Sequence, residues 1–156
     1  MSDVAVQNSD SQIQRIPSLD KIEVMILEAG GHIRGNGPEA DIFPETHSFT
    51  PGLYIRELFM PAGSVLTSRT HVTEHPYVVS QGRATVYSEV DGVREVVAPL
   101  TGITKAGTKR LLFIHEDMTW TTFHVTDLTD VEEIEKVIFA PWVNEYIVRI
   151  RAEGVT

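Results

Sequence analysis

The spacing of apolar and polar positions changes rhythm along the chain, and each change marks a predicted element. Residues 1–17 are rich in Ser, Asp, Gln and Asn without periodic apolar positions, which predicts a flexible arm. Between Ser18 and Ala29, the residues Ile22, Met25, Ile26 and Ala29 share one helical face behind an Asp20/Glu23 pair three apart. This predicts a short helix ended by Gly30-Gly31; a strand is the alternative, because Ile22, Val24 and Ile26 also alternate. Residues 30–52 are Gly- and Pro-rich and read as a strap with little regular structure.

From Leu53 the period becomes two. LYIRELFM runs to a Pro61-Ala62-Gly63 turn, and a second strand region follows, broken around Pro76 and stopped by Gln81-Gly82. RATVYSEV and VREVVAPL flank Asp91-Gly92, the strongest hairpin signal in the chain. Two further strands are expected up to Val125, joined at His115-Glu116-Asp117. Short strands in series without intervening helices predict an all-β sandwich or barrel. After Thr126 the period returns to helical, with a Thr129/Glu132 capping box and a Val131, Ile134, Val137, Ile138 stripe broken at Pro141. A second short helix is expected around Trp142, Tyr146 and Ile150. The chain thus divides into an arm (1–17), a helix and strap (18–52), a β-barrel (53–126) and a helical tail (127–156) that covers the barrel's open end or exchanges between subunits.

Composition narrows the chemistry. With 156 residues the chain fits one domain, and its 42% hydrophobic and 22% charged residues are those of a soluble globular protein. No run approaches the roughly 20 apolar residues of a membrane span, and the N-terminus shows no secretory pattern, so a cytoplasmic location is expected. The absence of Cys excludes thiolate nucleophiles and Cys-type zinc sites. A formal charge of −9 argues against nucleic acid as a partner.

The segment GSVLTSRTHVTEHPYVVSQG, Gly63–Gly82, resembles the first motif of the cupin superfamily, G-x5-H-x-H-x3,4-E-x6-G. Gly63 and Gly82 match its ends and His71 its second His, while Arg69 stands at the first His and His75 at the Glu. The second motif, G-x5-P-x-G-x2-H-x3-N, aligns through Gly107, with Lys105 at the Pro, Arg110 at the His, Ile114 at the Asn and Pro99 at the leading Gly. The resemblance covers residues 53–126 and implies a cupin-like double-stranded β-barrel, or jelly roll, with the dimeric association common among such barrels. More loosely, the run is similar to small cupin-like proteins encoded in bacteriophages and prophages.

Two site chemistries follow from these residues. His71 and His75 lie four apart, so on a strand both rings face the barrel interior; with His124 as a third donor they form a candidate site for one divalent metal ion, Zn, Fe, Ni or Cu. Arg110 in the remaining ligand slot sets a fixed positive charge against that metal. Alternatively, Arg69 and Arg110 point inward as two guanidinium forks and the cavity takes a carboxylate or phosphate. An ion pair of these arginines with Glu57 or Glu89 is the bland counterpart.

The functional classes that remain are a small-molecule-binding cupin with a metal or anion site, a noncatalytic structural or assembly protein such as a phage virion component, and a ligand-sequestering or regulatory protein.

Overall fold

A computed structural model describes residues 43–141 together with Leu19, Lys21 and Ile22. Leu19, Lys21 and Ile22 are helical; the rest of the arm, most of the expected first helix and strap, and the second helix of the tail lie outside the described residues. The described chain is an antiparallel β-structure: β1 (Glu45–Thr50), β2 (Leu53–Met60), β3 (Val65–Thr67), β4 (His75–Ser88), β5 (Gly92–Val97), β6 (Leu100–Thr104) and β7 (Arg110–Val125), followed by α1 (Val131–Ile138). No helix among the described residues is long and apolar enough to cross a membrane.

The sheet runs in the order β1-β2-β7-β4-β5, with β3 also pairing β7 and β6 also pairing β4. Strand β7 is the hub: one edge carries β2 and then β3, and the other carries β4 along most of its length. Inward-facing residues of β2, β4, β5 and β7, among them Met60, Val79, Val86, Val96, Leu112, Met118 and Trp120, form the main core. A second cluster of Tyr54, Ile134, Ile138 and Phe139 docks α1.

Three expectations are corrected. The strap holds a strand: β1 pairs β2 from Glu45↔Leu58 to Thr50↔Leu53, closed by Pro51-Gly52 with Gly52 at φ 75°. Pro followed by a left-handed Gly suits the centre of a type II turn. The second strand region is broken at residues 68–74, just before Pro76, as expected, but β4 does not stop at Gly82, and β7 does not turn at His115-Glu116-Asp117. At both places the ladder shifts register, with Gln81 opposite Thr119 and Arg83 opposite Glu116. The polar triplet sits on the outside of this bulged section, three exposed residues in a row. Gly82 makes the close approach there: at φ 98° a Cβ would lie 2.7 Å from the Met118 Cα and against the Asp117 carbonyl.

The expected capping box is displaced by one residue. Asp130 is the N-cap and its side chain accepts from the Glu133 backbone N–H at 3.0 Å. Ile134 and Ile138 are buried as the stripe predicts, whereas Val137 is exposed. Beyond the helix, Phe139 is extended and the chain pairs with the segment at Thr70–Val72, through Val72 N–H to Ile138 O (2.9 Å) and Ala140 N–H to Thr70 O (3.0 Å).

Candidate functional site

The barrel holds a cavity of about 60 Å³, partly open to solvent, on the inner side of β2, β3 and β7. Its apolar wall is Leu58, Met60, Leu66, Leu112 and Trp120; its polar groups are Arg56, Ser68, His71, Arg110 and Thr122. Such a mix of an apolar wall and a few convergent polar groups is typical of small-molecule sites.

Arg110 opens β7 on the alternation that also turns Leu112 and Ile114 inward, and it is 5% exposed. Ser68 fixes its backbone from both sides: the Ser68 N–H donates to the Arg110 carbonyl (2.8 Å), and the Arg110 N–H donates to Ser68 Oγ (2.9 Å). One arm of the guanidinium donates to Thr104 Oγ1 at 3.0 Å, and its plane lies over Trp120 (5.3 Å) and Tyr77 (5.4 Å). No carboxylate among the described residues pairs with it. Burial pulls its pKa below the ordinary guanidinium value.

Arg56 is the second guanidinium of the cavity, and the sequence reading did not select it. The strand alternation carried the signal, since Arg56 shares the inward face of Tyr54, Leu58 and Met60. It is held by Glu45 of β1 through two contacts, Nη2 to Oε1 at 2.5 Å and Nε to Oε2 at 3.3 Å. Arg69, expected to point inward, is not among the cavity's lining residues. Residues 68–74 are outside β3 and β4, so strand alternation does not govern them. Arg69 turns toward α1, bonding Glu135 Oε2 (3.3 Å) and the Ala140 carbonyl (3.3 Å) and stacking on Phe139 (4.6 Å). It forms an ion pair with Glu135.

His71, His75 and His124 do come together, although His71 belongs to no strand. Its backbone is bridged to Thr108 on one side and Phe139 on the other. The ring centroids of His71 and His75 are 4.6 Å apart and those of His75 and His124 4.4 Å, and the stack continues to Phe139 (5.0 Å) and Tyr54 (5.7 Å) at its two ends. His75 Nδ1–H donates to the Thr73 carbonyl (2.9 Å), and His124 Nε2 shares a hydrogen bond with Thr122 Oγ1 (2.9 Å). Burial holds all three imidazoles below their ordinary pKa, His124 at about 3, with the nearby Arg56 adding to the shift in each case. They are neutral at physiological pH. His47 bonds the buried Tyr54 hydroxyl at 2.6 Å, and His115 is exposed on β7 beside Thr85.

No family model matches the sequence, and no curated protein matches it. Solved structures do resemble the fold. The DMSP lyase DddQ from Ruegeria pomeroyi aligns with a TM-score of 0.52 at 17% identity, over 64% of this chain and 54% of the lyase. A cupin 2 domain-containing protein from Halorhodospira halophila aligns at 0.48 and 14% identity, over 66% and 80%. An RmlC-like cupin with a double-stranded β-helix fold from Methanocaldococcus jannaschii aligns at 0.45 and 10% identity, over 58% and 86%. The fold is similar to that of the lyase. At these identities the likeness is one of architecture alone.

The motif resemblance at Gly63–Gly82 implied a metal, and the donor set of this barrel tests that implication. His71 Nδ1, His75 Nε2 and His124 Nδ1 are buried without a hydrogen-bond partner, so imidazole donors are present. Among the described residues, however, no group of three or more His, Cys, Asp or Glu is placed to hold one ion. Arg56 and Arg110 add positive charge against the same rings, and no carboxylate ligand offsets it. These residues do not fit a divalent cation.

Proposed function

We propose that this cupin-like barrel binds a small anionic molecule in the cavity walled by Trp120 and Leu112, with Arg110 as the recognition group. The observation that carries the reading is the state of Arg110: a buried guanidinium, fixed by Thr104 and by two aromatic rings, lining a cavity with no carboxylate partner among the described residues. An unpaired buried cation is costly, and an anionic occupant offsets that cost through charge-assisted hydrogen bonds. Recognition and sequestration need only Arg110 and the walls around it; they imply no particular reaction.

Thermal unfolding in the presence of carboxylates, phosphate and their neutral analogues tests this. A bound anion at a hundred times its Kd adds about 2.7 kcal/mol of stability, a clear rise in Tm. Arg110→Met, which keeps the stem and removes the charge, is expected to unfold normally but lose that rise. Anions that leave Tm unchanged, or stabilise Arg110→Met equally, would refute the reading.

A further inference from the structure

The cavity contains two guanidinium groups that differ in electrostatic state. Arg56 is neutralised inside the fold by Glu45, whose carboxylate takes both Nε and Nη2 in a two-point contact. Glu45 is itself partly buried, and its carboxylate is oriented by this contact. Arg110 has only neutral partners, the Thr104 hydroxyl and the faces of Trp120 and Tyr77. His71, the remaining titratable group of the lining, is neutral. The lining therefore presents one positive charge without a carboxylate in contact among the described residues, with Asp91 acting on it only at longer range. The rest of the wall includes Leu58, Met60, Leu66 and Leu112, which cannot solvate a second charge.

Resting on the anion-binding reading above, we infer that the occupant is a monocarboxylate with an apolar or aromatic body, and that Glu45 is the residue that sets this charge count. The carboxylate takes the free arm of Arg110 and the body fills the space between Trp120 and the aliphatic wall. A dicarboxylate or phosphate must bury a second negative charge beside a guanidinium already occupied by Glu45, and is rejected. Glu45 acts through Arg56 and is a positioning residue for specificity rather than a contact for the ligand.

Isothermal titration of the full chain with four probes decides this: 3-phenylpropionate, the neutral 3-phenylpropanol, phenylsuccinate and inorganic phosphate. A charge-assisted hydrogen bond is worth about 1.5–3 kcal/mol, so 3-phenylpropionate is expected to bind roughly tenfold or more tighter than the alcohol. It is likewise expected to bind at least about tenfold tighter than phenylsuccinate or phosphate. Glu45→Gln, which keeps an acceptor for Arg56 but removes the charge, is expected to close the gap between phenylsuccinate and 3-phenylpropionate by roughly tenfold while leaving the monocarboxylate's affinity in place. Equal or tighter binding of phenylsuccinate or phosphate by the native chain overturns the charge count yet leaves anion binding intact. No binding of any anion defeats the anion reading itself. Folded Glu45→Gln with unchanged selectivity overturns the role of Glu45, and if that variant does not fold, the native chain's selectivity still decides the charge count.

Discussion

Acidification should weaken the fold through its buried imidazoles, and His124 gives the size of the effect. Its ring is 2% exposed, stacked between Tyr54 and His75, and its pKa falls from 6.5 to about 3, first through burial and then through His75 and Arg56. Between these two values the unfolded chain carries the proton and the folded chain does not. Unfolding therefore takes up a proton in this window, and stability is intact above pH 6.5 and lost progressively as the pH falls toward 3. At about 1.4 kcal/mol per pH unit, His124 alone removes about 2 kcal/mol by pH 5. His71 and His75 are shifted in the same direction and add to it. Carboxylates with ordinary values near 4 contribute little over this range. The assay is urea unfolding at pH 7.5 and pH 5.0 for the native chain and for His124→Phe, which keeps a ring in the stack but cannot be protonated. The hydrogen bond to Thr122 is lost at both pH values and cancels in the difference. The loss between the two pH values is expected to be about 2 kcal/mol smaller in His124→Phe. A native chain equally stable at both, or a variant with the same pH dependence, refutes the reasoning.

Three further outcomes are expected. Gly82→Ala places a Cβ against the Asp117 carbonyl and the Met118 Cα at a left-handed φ, and should cost about 1–3 kcal/mol or more in chemical unfolding; an unchanged midpoint would show that the bulge relaxes. Asp130→Ala removes the α1 cap and should cost about 1 kcal/mol, with Asp130→Asn recovering most of it. Prolonged chelation, followed by addition of Zn or Ni, should leave Tm unchanged at each step, and a rise on adding metal that His75→Ala abolishes would restore the metal reading.

The barrel was legible in the sequence because its strands are half-buried and alternate, from Leu53 onward. Strand β1 was not, because an edge strand with four exposed positions out of six has no apolar rhythm to show. That omission hid Glu45. The polar triplet at 115–117 read as a turn because a bulge and a turn expose the same residue types; only the pairing of β4 with β7 separates them. At the site, motif spacing brought His71 and His75 together and alternation added His124. The same spacing misdirected Arg69, which lies in a segment where no ladder fixes the side chain's direction. Arg56 was within reach of the alternation rule, as a charge on an apolar face, but no family motif points to it.

Phe139 packs against two cations, with the Arg69 guanidinium 4.6 Å and the Arg56 guanidinium 4.8 Å from its ring centroid. Arg56 also forms part of the cavity wall, so one side chain borders both the interior and the strand-like extension that follows α1. A rotamer change in the wall reaches that extension through Arg56, beside the link that His71 makes by lining the cavity and pairing with Phe139. The barrel interior and the segment after α1 are mechanically one step apart, and Arg56 is one such step.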